Sequence, residues 1–427
     1  MHSDSPWRTA AFRQLFAAAS ASQLGTQIGY VAMPLVAAVA LDASPGEVGL
    51  LATLSMAAFL LIGLPAGAWV DRLPRRPVLI TADLVRAALL ASVPLAWWSG
   101  VLTLWQLYAV VLGSGCATVF FEVASQSYLP ALVGPSALVR ANSAVVGLQA
   151  ASSVGGRGAG GLIVAALGAP PAIALHAVSH LLSALSLTRI RATEARPARG
   201  PARRALGAEV REGLRHVLGD RELRALALSG ACANFGSSAV NTMLPLLVTR
   251  ELGMSPAVLG AYWAVGGVGI FVGSVLARRL AARFAYGRVI ATAGLLMAPA
   301  GLLIPLFDRG VWLGLSAFGS LLASAKFGVN NVLGVSLRQH LTPPELQGRM
   351  NATFRFLLMG ALALAAATAG LIGEYASVRA ALWTGGAFMT LAFLPLFLSP
   401  VRNRRDLTDM SRRNRDEPAD VVVSPAG

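Results

Sequence analysis

The chain has 427 residues, of which 55% are hydrophobic and only 13% charged, with a formal net charge of +15. A soluble protein carries about 25% charged residues, so this composition excludes an ordinary water-soluble enzyme and indicates a membrane protein. The basic excess excludes nucleic acid as a partner, because the arginines lie between apolar runs and no stretch is both basic and rich in aromatic residues.

A helix needs about 20 apolar residues to cross the hydrocarbon layer. Runs of that kind fall at 12–40, 46–70, 76–97, 104–127, 138–167 and 170–189, and again at 223–249, 256–280, 287–307, 311–338, 346–373 and 379–399. They are too long for barrel strands of about 10 alternating residues, so the expectation is an all-α membrane protein with twelve transmembrane helices. The stretch before Phe12 is too short and polar for the apolar region of a signal peptide, and the first span is expected to remain as an anchor. Cys116 and Cys232 each lie inside an apolar run, with no disulfide or metal spacing, and read as small packing residues.

Twelve spans put both termini on one side, and arginine chooses the side. The loop at 72–76, the stretch 189–224, the segments 278–288 and 338–349 and the tail from Arg402 are arginine-rich, while the opposite loops hold little more than Arg250, Arg309 and Arg379. Arginine marks the cytoplasmic face, so both termini are expected there, in a cell (inner) membrane. The chain also repeats. An offset of 211 takes Arg13 to Arg224, Gly25 to Gly236, Pro34 to Pro245, Ser44–Pro45 to Ser255–Pro256, Gly49 to Gly260 and Arg72 to Arg283. Two six-span halves related by an axis along the membrane normal follow. The expected organisation is a cytoplasmic N-terminus at 1–11, bundles at 12–189 and 223–399, a linker at 190–222 and a disordered tail at 400–427. Within the linker, Ala205 to Leu218 could form an amphipathic helix, with a solvated segment as the alternative.

The second span ends in Gly67-Ala68-Trp69-Val70-Asp71-Arg72-Leu73-Pro74-Arg75-Arg76, an acid and arginines crowded just past an apolar run. This segment resembles the loop between spans two and three of the major facilitator superfamily, Gly-x-x-x-Asp-Arg-x-Gly-Arg-Arg. It matches at Gly67, Asp71, Arg72, Arg75 and Arg76 and departs at Pro74. Gly67 leaves room for a second helix to approach. Pro343-Pro344-Glu345-Leu346-Gln347-Gly348-Arg349 resembles the branch that includes enterobactin and macrolide exporters, with a first-half counterpart in Leu129–Pro130 and Arg140-Ala141-Asn142. Gly156-Arg157-Gly158-Ala159-Gly160-Gly161 is similar to the Gly-Pro-x-x-Gly-Gly pattern of the superfamily's antiporters, with Arg157 in place of proline. The resemblance implies two rocking bundles with a substrate cavity between them, lined by spans one, four, seven and ten. It also implies that Asp71 latches onto the start of span eleven and that Glu122, in span four, pairs with Arg75 to close the cytoplasmic side. A carboxylate at a helix N-terminus is favourable by about 0.3–1 kcal/mol.

Several polar residues lie inside the spans. Gln23, Gln27 and Tyr30 share a helical face in span one, and the repeat takes them to Asn234, Ser238 and Asn241 in span seven. Equivalent polar faces suit a cavity lining, with interhelical hydrogen bonding as the alternative. In span ten, Ser316, Ser320, Ser324 and Asn331 form one stripe, and Lys326 with Asn330 the opposite one. Small serines suit close helix packing, so the Lys326 face is the expected cavity face. A mid-span charge costs at least ~2.5 kcal/mol and needs water or a partner. Lys326, the chain's single lysine, and Arg157 together would suit an anionic or carboxylate-bearing substrate. Glu122 is also a candidate proton carrier. His176 and His180 lie one turn apart in span six, where histidine could titrate in the physiological range. Span six is peripheral in the resembled superfamily, so a packing or hydrogen-bonding role is expected. Asp83 and Arg86 read as a local i, i+3 pair.

No Gly-x-x-x-x-Gly-Lys-Ser/Thr, Gly-x-Ser-x-Gly or His-Glu-x-x-His occurs, so neither ATP nor covalent catalysis is expected, nor a cofactor or metal. The expectation is a non-enzymatic, monomeric secondary transporter working in the lipid bilayer. It would export a small organic molecule, a drug, antibiotic or siderophore-like product, by proton antiport. A proton-coupled importer and a non-transporting sensor of the same fold are the alternatives.

Overall fold

The structure is a computed structural model describing residues 5–70, 72–191 and 206–404. In it the helices are α1 (Ala10–Leu35), α2 (Pro45–Val70), α3 (Arg75–Trp98), α4 (Leu104–Gly134), α5 (135–167), α6 (Ala169–Thr188), α7 (Leu206–Gly219), α8 (Arg221–Leu246), α9 (Pro256–Phe284), α10 (Tyr286–Leu306), α11 (Val311–His340), α12 (Gln347–Tyr375) and α13 (Val378–Phe397). All but α7 are long, and ten of the twelve long ones are apolar enough to cross a membrane by length and composition alone. Helices suit that medium because every backbone polar group in lipid must be bonded within its own segment. The expected gap between the fourth and fifth spans is absent. α4 runs straight into α5, and only Gly134, at φ 71°, breaks the helical path.

The repeat extends to individual backbone bonds. Pro34 and Pro245 each remove a donor from the helix ladder. Beyond each, the chain widens into a single π-helical turn, Val36–Ala40 in one half and Leu247–Glu251 in the other. The turn is closed by the Leu41 N–H on Val36 O and the Ala43 N–H on Ala37 O in the first half. In the second half the Leu252 N–H bonds Leu247 O and the Met254 N–H bonds Val248 O. Both loops then pass through a left-handed residue, Asp42 at φ 52° and Gly253 at φ 59°. Gly25 lets α1 pack on α6, and its counterpart Gly236 lets α8 pack on α13.

The halves touch most closely at the end away from α7, hereafter the far end. There α2 crosses α12 with Gly49 against Gly370, and α5 crosses α9 with Gly161 against Gly260. Arg250 clasps the first half across this end, donating to Ala38 O at 2.8 Å and Ala43 O at 2.7 Å and pairing with Asp42. The Gly46 N–H donates to Glu374 at 2.9 Å. Arg379 ties α13 to Asp308 at 2.9 Å. The backbone N–H of Arg309, and then Arg379, hold the Asp308 carboxyl below its usual range. Trp97, Trp98, Trp105 and Trp312 are exposed at this end, as an aromatic belt at a membrane boundary would be.

At the other end α7 lies along α12, with Gly213 against Thr353, Glu212 paired to Arg349 at 2.8 Å and Val217 fully buried. The linker therefore contains the amphipathic helix rather than a wholly solvated segment. The expectation of disorder from residue 400 is corrected for its first residues. Val401 is buried, the Gly287 N–H donates to Arg404 O, and Arg404 pairs with Glu222 at 2.8 Å. An apolar anchor and an ion pair hold this stretch, and residues 405–427 lie outside the described residues.

Gly260→Val tests the far-end crossing, because even a Cβ there would sit 2.7 Å from Gly161 Cα and 2.8 Å from Arg157 O. The variant should insert normally but hold the far end apart. A cysteine at Ala52, which lines the space between the halves, should then react faster with a membrane-impermeant thiol reagent applied from the far side. Unchanged labelling would show that the crossing is not the closing contact.

Candidate functional site

Between the halves lies a cavity of about 460 Å³. Its walls come from α1 and α2 on one side and α8, α9, α10, α11, α12 and α13 on the other, with α5 contributing Arg157. This volume falls within the ~300–1,000 Å³ of small-molecule sites.

Tyr30, Arg157, Ser238, Asn241, Lys326 and Asn330 all line it. Gln27 stands just behind, accepting a bond from Arg157 Nε at 3.2 Å, while the Arg157 guanidinium lies 4.3 Å from the Tyr30 ring centre. Gly156 and Gly160 allow this arrangement. A Cβ at either would press on Gln27 or on the α1 backbone at Gln27 and Ile28. Arg157, where antiporters of the resembled pattern have proline, thus reaches the cavity from a helix whose glycines pack on both halves. Lys326 Nζ makes one hydrogen bond, to Met389 O at 3.4 Å, and the side chain is otherwise surrounded by protein and cavity. Among the described residues the lining holds two cations and no acid.

Besides Gln27, two of the expected residues do not reach the lining. Asn234 donates to Gly230 O of its own helix at 2.8 Å, and Gln23 lies nearer the linker end of α1. The serine stripe of α11 divides. Ser316 is fully buried and bonded to Tyr262 and Ile304 O, Ser320 and Ser324 face Gly266 of α9, and Ser324 also touches the cavity. By residue type Tyr262 and Trp263 of span eight suit either the cavity or the lipid interface, and the structure decides for Trp263. It lines the cavity, donates to Asn241 Oδ1 at 2.8 Å and meets Tyr30 edge-on at 5.0 Å. Its signal lies in the repeat, because Ser255–Pro256 starts α9 as Ser44–Pro45 starts α2, and Trp263 is the counterpart of Ala52, itself a lining residue.

At the linker end the halves are spanned by side chains rather than backbone. Glu122 of α4 pairs with Arg355 of α12 at 3.0 Å, and Arg355 lies 4.5 Å from the Phe59 ring centre of α2. The pairing of Glu122 with Arg75 is expected when the cavity opens outward, and in this conformation the carboxylate reaches across the halves instead. Arg76 donates to Leu187 O and Thr188 O, capping the end of α6. Arg72 is exposed in the turn that follows α2. Gly67 admits no close helix here, because a Cβ on it would meet nothing within 4 Å. The halves are splayed at that level. Asp71 lies outside the described residues.

A family model described as transmembrane secretion effector matches residues 2–426. The chain is 27% identical to an uncharacterised MFS-type transporter, y4rN, of Sinorhizobium fredii, over 84% of this chain and 87% of that one. It is 29% identical to the multidrug efflux pump Tap of Mycobacterium tuberculosis, over 70% of this chain and 73% of the pump. Its fold is similar to that of the nucleoside transporter NupG, with a TM-score of 0.72 at 11% identity, covering 91% of this chain and 100% of that one. It is also similar to a bacterial homolog of the human lysosomal transporter Spinster in an inward-facing, unoccupied conformation, with a TM-score of 0.69 at 15% identity, covering 95% and 100%. At these identities the solved structures bear on the fold alone. The match along almost the whole chain, on a doubled bundle around a central cavity, means that the protein belongs to the transmembrane secretion effector family of the major facilitator superfamily, whose members are membrane transporters and not enzymes.

Proposed function

We propose that the protein is a proton-driven exporter of a small organic molecule bearing an anionic or carboxylate group. The bundles 12–189 and 223–399 rock about the central cavity with both termini in the cytoplasm. The observation that carries this reading is the pair of cations, Lys326 and Arg157, in a lining with no acid among the described residues. In a water-poor cavity an unpaired cation is costly, and an anionic substrate would supply the missing partner. Export is supported by the glycine run of α5, by the resemblance of Pro343–Arg349 to an exporter branch, and by the likeness to a relative named as a multidrug efflux pump. A monomer holds the whole cavity.

The gate at the linker end is read as Glu122 with Arg355, working beside the loop of Gly67, Asp71, Arg72, Arg75 and Arg76. An exposed pair contributes only about 0–1 kcal/mol. That suits a contact that must break in every cycle.

In proteoliposomes, Lys326→Ala should weaken binding of carboxylate-bearing substrates by about 10- to 100-fold, the loss of one charge-assisted hydrogen bond of about 1.5–3 kcal/mol. Transport of a neutral analogue should change far less. Equal transport of the acid in the variant and the parent would sink the anion reading. For the gate, Glu122→Arg and Arg355→Glu should each slow turnover, and the double exchange should recover most of it. Additive losses in the double variant would remove the pair from the cycle.

A further inference from the structure

Behind the cavity wall, α6 presents a polar face that the transport reading leaves unused. Its lipid side carries exposed Leu175, Val178, Leu182 and Leu185, whereas His176, His180 and Ser183 point inward at α1 and α3. Asp83 of α3 is fully buried and accepts from Arg86, from Ser183 Oγ at 2.6 Å and from His180 Nδ1 at 3.1 Å. His180 Nε2 faces His176 Nε2 at 3.1 Å. His176 Nδ1 is buried with no hydrogen-bond partner and lies against Gly29, where a Cβ would come within 2.2 Å of it. Gly29 itself lines the cavity.

Three donors hold Asp83 as a carboxylate, and Arg86 balances its charge. A carboxylate only accepts, so His180 Nδ1 carries a proton. Two facing ring nitrogens at hydrogen-bond distance share one more. In the neutral pair that shared proton sits on His176 Nε2 and is donated to His180 Nε2, which leaves His176 Nδ1 as the one bare nitrogen. We propose that His176, wired through His180 to Asp83, is the proton-binding site of this transporter, with His176 Nδ1 taking the proton.

Gly29 closes that atom from the cavity in this conformation, and no acceptor waits for an Nδ1–H. A proton bound there disfavours the far-end-closed form and is retained only when α1 moves away. The other charged groups facing the cluster are Glu122 of α4, near Arg86, and Arg76 of α3 at the end of α6. From α1, at this level, the neighbours are Gly25 and Gly29. The inference rests on the proton-driven reading and names the group that serves it.

The test needs no substrate. With Cys116→Ser and Cys232→Ser, spin labels at Val101→Cys and Val311→Cys, exposed at the far end of opposite halves, report its opening as a distance. Between about pH 8 and pH 5, where histidine titrates, the distance should lengthen through a one-proton step. The step should vanish in His176→Gln and in His180→Gln, so either variant suffices if the other fails to fold. In Glu122→Gln, which also breaks the gate pair with Arg355, the step should keep its one-proton form while its midpoint shifts. No step in the labelled parent, or a step surviving in the histidine variants, overturns the site, and loss in Glu122→Gln alone assigns the proton there. A flat distance beside intact proton-driven efflux removes this site and spares the transport reading, while a histidine-dependent step without efflux does the reverse.

Discussion

Glycine on glycine is the contact the architecture depends on. Lipid chains are as apolar as leucine, so burying leucine gives helices no reason to associate in a bilayer. They associate through close packing and hydrogen bonds instead. Gly49 on Gly370 and Gly161 on Gly260 bring backbones together where any side chain would hold them apart. These contacts sit at one end of the helices, so the opposite end can open without disturbing them. Two bundles touching along their whole length would be a block without a cavity. The far-end clasp of Arg250 on Ala38, Ala43 and Asp42 adds bonds that exist only while this end is shut.

The helices that build the cavity are poorly suited to lipid. α5 and α8 fall short of a membrane span by composition, and α1 and α11 only reach it, at a mean hydropathy of 1.2 against 1.8 in α2. Gln23 and Gln27 lie in α1, Arg157 in α5, Ser238 and Asn241 in α8 and Lys326 in α11. Each polar residue that faces the cavity lowers its helix's preference for lipid, and such helices depend on neighbours that cover their other faces. α6 shows the converse arrangement. Its outer face is leucine and valine, and its ionisable residues are turned inward, toward the ion pair of Asp83 with Arg86.

The fold was largely legible in the sequence because span length, arginine placement and the 211-residue offset are properties of single positions. The offset carried further than residue matching suggested, since it also relates the two π turns and the left-handed residues Asp42 and Gly253. The Gly134 junction was missed because one left-handed glycine breaks a helix without a polar gap to announce it. Arg157 and Lys326 stood out as charges inside apolar runs, but that they share one cavity depends on how α5 and α11 cross, and no spacing records a crossing. The contact of Glu122 with Arg355 was not legible for the same reason, since Arg355 lies 233 residues away in the chain. Asp83 and His180 looked like two separate local pairs, and only the packing of α3 on α6 joins them.

The repeat is kept in the backbone but not in the buried charges of α3, and that asymmetry has a physical consequence. α3 and α10 begin at equivalent positions, Arg75 and Tyr286, yet Asp83 and Arg86 correspond to Gly294 and Met297. Gly294 is filled by Phe393, so the second half replaces an ion pair with a ring. Replacing a buried pair by well-packed apolar groups is often neutral or stabilising, so stability alone gives no reason to keep Asp83 and Arg86 where they are. What the pair does in the first half is fix His180, and through it His176, one helix behind Tyr30 and Arg157. Lys326 is held by the second half. On this reading the first bundle holds the proton group and Arg157 while the second holds Lys326, and the linkage of proton to substrate passes through the motion of α1 rather than through a shared side chain. A transporter of that design can tune its cargo through the Lys326 side of the cavity without rebuilding the group that binds its driving ion.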